Sequence, residues 1–184
     1  MNITKRLVFS ALFTALIIAG SYIRIPIGPV PIVLATLFVL LAGLLQTFRW
    51  ALASVLLYLL LGAIGLPVFT AGGGIAYFAG PTGGYLIGYL AAALVTNIVS
   101  TGRAETKLRD LLAVIAGTLT IYLFGVPWLK VALDFTWRKT LAAGLLPFLI
   151  GDGIKAAAAY VAFISLKRGY PELIPRSMPE IRDT

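Results

Sequence analysis

The chain has 184 residues, of which 60% are hydrophobic and 12% are charged, and its formal net charge is +8. A soluble domain is about 45–50% apolar and about 25% charged, so this composition predicts an integral membrane protein and excludes a soluble one. The absence of cysteine and histidine removes disulfides, the commonest metal ligand and the commonest general base. We therefore expect no metal site, no cofactor and no enzyme activity.

Hydrophobic runs without charge predict an all-α bundle of six transmembrane helices, because a helix needs about 20 residues to cross about 30 Å of hydrocarbon. One charge-free stretch, residues 50–102, is too long for a single helix, and its Gly- and Pro-rich centre divides it into two. The predicted helices cover residues 7–23, 32–47, 50–64, 84–100, 111–129 and 140–166. We expect one membrane domain over residues 1–184, with a polar tail at 170–184.

The distribution of lysine and arginine predicts that both termini lie in the cytoplasm, since inner segments of membrane proteins carry the excess of basic residues. In this orientation the outer side holds Arg24, Lys130, Arg138 and Lys139. The inner side holds Lys5, Arg6, Arg49, Arg103, Lys107, Arg109, Lys167, Arg168, Arg176 and Arg182. This asymmetry accounts for the net charge without nucleic-acid binding.

The first predicted helix carries a repeat of small residues. Ala11, Ala15 and Ala19 recur at every fourth position, so they form a strip along one face of the helix. In lipid, such a strip lets another helix approach closely. The pattern alone does not decide whether that helix belongs to this chain or to a separate one.

A Gly-rich loop, TAGGGIAYFAGPTGGY, joins the third and fourth predicted helices. Glycine permits positive φ and leaves backbone N–H and C=O groups accessible. Non-helical backbone at membrane depth is tolerated where protein or a water-filled cavity satisfies its polar groups. The loop is therefore expected to cover a ligand cavity, and the alternative is an ordinary outer connection.

A carboxylate and an ammonium group lie inside the last predicted helix, in the run LLPFLIGDGIKAAAAYVAF. Asp152 and Lys155 are three residues apart and share one helix face. Each charge near the bilayer centre costs about 2.5–3.5 kcal/mol. A structural ion pair is one interpretation, but such a pair is often no better than apolar packing. We therefore favour a site for a small polar ligand, with a solitary ion-coupled carrier as an alternative.

Four motifs, IPIGPVPIVL, GLPVFTAGGG, GPTGGY and GDGIKA, occur in this order along the chain. Together they resemble the BioY family, the biotin-binding membrane subunits (S components) of energy-coupling-factor (ECF) transporters, over about residues 7–168. The resemblance implies a multi-pass protein of the prokaryotic cytoplasmic membrane that binds biotin near its outer side. It also implies two kinds of partner, a transmembrane coupling subunit (T component) and two cytoplasmic ATPases. Ala11, Ala15 and Ala19 would dock to the coupling subunit.

The resemblance also implies roles for individual residues. Asp152 would accept a hydrogen bond from a ureido N–H of biotin, and Lys155 would bind either the ureido oxygen or the carboxylate. Further contacts are expected from Thr82 and Tyr85 and from the glycines Gly72, Gly73, Gly74, Gly83 and Gly84. The alternative within the same class is an S component for another vitamin, such as riboflavin or thiamine.

Overall fold

The computed structural model describes residues 2–101 and 106–170, which form α-helices joined by short connections. The helices are α1 (Ile3–Tyr22), α2 (Ala35–Leu45), α3 (Phe48–Ala63), α4 (Gly83–Ser100), α5 (Lys107–Ala132), α6 (Trp137–Gly144) and α7 (Leu146–Gly169). Between α1 and α2, the two-residue strands β1 (Arg24–Ile25) and β2 (Ile32–Val33) pair antiparallel. Between α3 and α4, the chain contains one 3-10 helix (Ile75–Ala79).

Within the described residues, four stretches are long and apolar enough to cross a bilayer: α1, α4, α5 and the combined Trp137–Gly169. Helices α2 and α3 are apolar but shorter, with 11 and 16 residues. At 1.5 Å per residue, α2 is only about 16 Å long, roughly half of the hydrocarbon thickness. The mostly helical architecture is thus confirmed, whereas the crossing of the membrane by all six predicted helices and the cytoplasmic location of the termini stay predictions. Arg103, Arg176, Arg182 and nearly all of the predicted tail lie outside the described residues.

Several predicted helix boundaries differ from the observed ones by a few residues, and two of the differences have a clear structural cause. The second helix begins at Ala35 rather than near residue 32, because Ile32 and Val33 are extended and pair with the strand before them. The last helix is not continuous from 140 to 166, since the backbone turns at Leu145 (φ −130°, ψ −60°) and α7 starts at the next residue. Pro147 lies in the first turn of α7. Proline has no backbone N–H, and this is tolerated there because N–H groups in the first turn have no acceptor within the helix.

Helix α4 packs against α2, α3 and α5, and α7 closes the bundle against α2 and α5. Small residues make the contacts of α4 close. A Cβ atom at Gly43 of α2 would lie 2.7 Å from the carbonyl oxygen of Ala93, and one at Gly88 would lie 3.0 Å from that of Ile121. These helices therefore pack backbone to backbone, as small residues permit in lipid.

Buried hydroxyl groups fix the rotation of α1 about its own axis. Ser10 Oγ lies 2.9 Å from Ser54 Oγ, and Thr14 donates a hydrogen bond to the Ser54 carbonyl oxygen at 2.9 Å. Because this polar face of α1 points at α3, the opposite face turns outward. The strip of Ala11, Ala15 and Ala19 is exposed along its whole length.

Candidate ligand-binding site

A cleft opens among α2, α3, α4, α5, α7 and the two connections that follow α1 and α3. It spans about 520 Å³ of empty space, part of which is open to the surroundings. The residues that line it are Val30, Pro31, Val33, Thr36, Tyr58, Thr70, Tyr77, Thr82, Tyr85, Leu86, Tyr89, Ile121, Tyr122, Phe148, Asp152 and Lys155.

Asp152 and Lys155 form an ion pair in the wall of this cleft. Both are buried, with 8% of each residue exposed. Each also has a second partner, because the Tyr122 hydroxyl donates a hydrogen bond to the Asp152 carboxylate and Lys155 Nζ donates one to the Val33 carbonyl oxygen at 2.8 Å. The pair has no net charge, and it presents an acceptor beside a donor to anything inside the cleft.

Aromatic side chains form much of the remaining wall. Five tyrosines line the cleft: Tyr58, Tyr77, Tyr85, Tyr89 and Tyr122. The ring of Tyr85 is stacked with that of Phe148, with centroids 6.5 Å apart and planes inclined by 25°. The Tyr85 hydroxyl donates a hydrogen bond to the Gly144 carbonyl oxygen at 2.7 Å. Because that hydroxyl is hydrogen-bonded at the α6–α7 junction, Tyr85 presents its ring, rather than its hydroxyl, to the cleft.

The two connections that border the cleft also contact each other. The Tyr22 hydroxyl donates a hydrogen bond to the Pro67 carbonyl oxygen, and Arg24 Nη1 donates one to the Thr70 carbonyl oxygen. Trp128 Nε1 of α5 donates a further hydrogen bond to the Gly80 carbonyl oxygen at 2.9 Å. The segment between α3 and α4 is therefore held at both of its ends.

The structure brings four of the predicted ligand contacts together in one cleft: Thr82, Tyr85, Asp152 and Lys155. The five predicted glycines, Gly72, Gly73, Gly74, Gly83 and Gly84, are not among the residues that line it. Gly72 and Gly74 have φ of 138° and 103°, which favours glycine, and the Gly74 N–H donates to the Gly62 carbonyl oxygen at 2.7 Å. In this structure they shape the connection, and a direct contact with a ligand stays a prediction.

Gly83 and Gly84 begin α4 where it lies against neighbouring chain. A Cβ atom at Gly84 would meet the side chain of Trp128 and would lie 2.6 Å from the Phe124 carbonyl oxygen. One at Gly83 would overlap the Phe78 carbonyl group. The absence of side chains at these two positions therefore lets α4 approach α5 and the preceding connection.

We expect Gly84→Ala to lower the free energy of unfolding by about 1–3 kcal/mol, because the added methyl group forces two packed helices apart. Thermal unfolding of the detergent-purified variant measures this loss. Gly153→Ala is the matched control, since a Cβ there meets nothing within 4 Å, and we expect it to be stabilising by about 0.5–1 kcal/mol. Equal stability of the two variants would contradict the packing role of Gly84.

Several residues of the cleft were not predicted from the sequence. The most important is Tyr122, whose hydroxyl bonds Asp152 from 30 positions away along the chain. The Val33 carbonyl oxygen, which accepts a hydrogen bond from Lys155, is a backbone group, so no side chain in the sequence indicates its role. Tyr89 could have been predicted from the sequence, because it lies four residues after Tyr85 and such pairs share a helix face.

Comparison with known proteins gives consistent results. The family model described as "BioY family" matches residues 1–172. The chain is 41% identical over 158 residues to the probable biotin transporter BioY of Pyrococcus horikoshii, covering 85% of this chain and 93% of that one. It is 38% identical over 186 residues to the biotin transporter BioY of Rhizobium etli, covering 95% and 99%. A crystal structure at 2.1 Å of the S-component for biotin from an ECF-type ABC transporter superposes with a TM-score of 0.85 at 31% identity, covering 95% and 100%.

Proposed function

The chain belongs to the BioY family, and on this premise we propose that it captures biotin as the substrate-binding membrane subunit of an ECF-type ABC importer. It is a multi-pass membrane protein and a transport subunit, not an enzyme. The observation that carries the proposal is the neutral Asp152–Lys155 pair in the wall of an aromatic cleft. We place it in the cytoplasmic membrane of a prokaryotic cell.

The chemistry of the pair suits the ureido group of biotin, which carries N–H donors beside a carbonyl acceptor. Asp152 would accept from a ureido N–H, and Lys155 would donate to the ureido oxygen. Such charge-assisted hydrogen bonds are about twice as strong as neutral ones. Because donor and acceptor lie side by side on α7, a ureido group can meet both at once while the net charge of the site stays at zero.

The rest of the cleft suits the apolar part of biotin. Tyr85 and Phe148 offer a flat aromatic wall for the fused ring system, and apolar surface removed from water contributes about 25 cal/mol per Å². We further propose that Thr82 and the backbone of the predicted glycines contact the bound molecule. Gly72, Gly73 and Gly74 lie in the connection that borders the cleft, and Gly83 and Gly84 begin the helix that carries Tyr85.

The proposed partners are a transmembrane coupling subunit and two cytoplasmic ATPases. Support comes from α1, whose strip of Ala11, Ala15 and Ala19 is exposed and would admit a closely packed helix of another chain. With both termini in the cytoplasm, the cleft faces outward, because its bordering connections follow α1 and α3. Capture outside and ATP-driven release inside would then complete the transport cycle.

Titration of the detergent-purified protein with biotin, riboflavin and thiamine tests this function. We expect a biotin dissociation constant below about 1 μM, and biotin at a hundredfold excess over that constant should stabilise the fold by about 2.7 kcal/mol. Tighter binding of riboflavin or thiamine would contradict the assignment. Biotin uptake by this chain alone in vesicles, driven by a pH gradient, would instead favour an ion-coupled carrier.

A further inference from the structure

The mouth of the cleft carries a cation that the capture of the ureido group leaves unused. Arg24 lies in β1, is exposed, and pairs across the two strands with Val33. Its guanidinium donates a hydrogen bond to the Thr70 carbonyl oxygen. Val33 and Thr70 both line the cleft. Arg24 is not itself a lining residue, but its contacts with these two place it beside the edge of the cleft, where the two bordering connections meet.

The charge balance inside the cleft creates a need for such a cation. In the described part of the chain, Asp152 and Lys155 are the formally charged side chains that line it, and they neutralise each other. A ligand carboxylate placed against them would leave one uncompensated negative charge among aromatic walls, which is costly away from bulk water. Lys155 already serves Asp152 and the Val33 carbonyl. A carboxylate is therefore better placed at the mouth.

Arg24 has the donor groups that a carboxylate requires. A guanidinium carries five N–H donors in a fixed fork that matches the two oxygens of a carboxylate. The hydrogen bond to Thr70 uses one of these donors and orients the guanidinium, and the remaining donors can bind a carboxylate. Two of the other three basic side chains of the predicted outer side contact aromatic rings instead. Lys130 Nζ lies 5.6 Å from the ring centroid of Trp137, and Lys139 Nζ lies 4.0 Å from that of Phe135. Neither of these rings lines the cleft.

We propose that Arg24 binds the carboxylate of the ligand at the mouth of the cleft, while the ureido ring lies inside against Asp152 and Lys155. This inference rests on the proposed capture of biotin and fixes the direction in which the molecule lies. Arg24 is then a specificity-determining residue, since it favours an anionic ligand over a neutral one of the same shape.

The experiment compares biotin with biotin amide, which keeps the rings and chain but has no charge. We expect the wild-type protein to bind biotin more tightly than the amide. Arg24→Gln should weaken biotin binding by about two- to fivefold and leave binding of the amide unchanged. Glutamine removes the charge and keeps an N–H donor, although its side chain is shorter than that of arginine, and binding of the amide shows whether the contact between the connections matters. Arg24→Lys should keep most of the preference for biotin over the amide. Arg138→Gln, which removes an exposed charge on α6, should change the affinity for neither ligand.

Several outcomes would overturn the inference. If Arg24→Gln lowered the affinity for both ligands equally, the residue would serve only to join the two connections. A wild-type protein that binds the amide as tightly as biotin would refute the proposal without any variant, even if the substitution prevented folding. In both cases biotin still binds the wild type, whereas absence of biotin binding would refute the proposed function itself. The preference for biotin should also shrink at high salt, which screens an exposed charge pair.

Discussion

Asp152→Asn is expected to weaken biotin binding by about a hundredfold. The substitution keeps the shape of the side chain but replaces a charged acceptor that we assign to a ureido N–H, and hydrogen bonds to charged groups contribute about 1.5–3 kcal/mol. Isothermal titration of the purified variant measures the loss. Tyr122→Phe is the matched control, since it removes one hydrogen bond to the carboxylate and leaves the ion pair in place. We expect it to have a smaller effect.

The same substitution also tests whether the pair is structural. Asp152→Asn leaves the ammonium of Lys155 buried without its counter-ion, which typically costs about 3–5 kcal/mol, whereas replacing both partners by well-packed neutral groups is often neutral. The double variant Asp152→Asn/Lys155→Met should therefore regain most of the lost stability and none of the lost affinity. A double variant that binds biotin as tightly as the wild type would show that the pair only holds α7 in place.

Ala15→Phe is expected to abolish biotin uptake by the assembled transporter while leaving biotin binding and thermal stability unchanged. Ala15 is exposed in the middle of the small-residue strip on α1, so a phenylalanine there can extend away from the rest of this chain. It would, however, hold a docked helix several ångströms away, and close approach of helices in lipid depends on small residues. Uptake of labelled biotin by cells or vesicles that contain the coupling subunit and ATPases measures the effect.

Ala158→Phe is the control for that experiment, because Ala158 is also an exposed alanine but lies on α7. It should leave uptake at the wild-type rate. Undiminished uptake by Ala15→Phe would exclude the strip as the docking face. A loss of biotin binding in Ala15→Phe would instead indicate that α1 contributes to the cleft.

The parts that could be predicted from the sequence are those with a local energetic signature. Charges inside an apolar run are costly in lipid, so Asp152 and Lys155 stand out from the residues around them in the chain. The small-residue strip of α1 follows from a spacing of four. The multi-pass helical architecture follows from the lengths of the apolar runs, and all three features are found in the structure.

The missed features depend on contacts between distant parts of the chain. Helix α2 is short because Ile32 and Val33 are drawn into strand pairing, and no local preference of those residues forbids a helix. The close packing of Gly83 and Gly84 against Phe78 and α5 was not predicted either, since it depends on parts of the chain that are distant in sequence, and their contact with a ligand stays a prediction. Tyr122 is one aromatic residue in a long apolar helix, and its hydroxyl contacts Asp152 only when α7 packs beside α5.

The hydrogen bond between Lys155 and the Val33 carbonyl has a consequence for the thermodynamics of capture. A free lysine side chain has many rotamers, and fixing it costs about 1.5–2 kcal/mol in conformational entropy. Here the ammonium is already fixed between Asp152 and Val33, so this cost is incurred when the protein folds. An arriving ligand meets a preorganised donor, and little of the interaction free energy is spent on immobilising it.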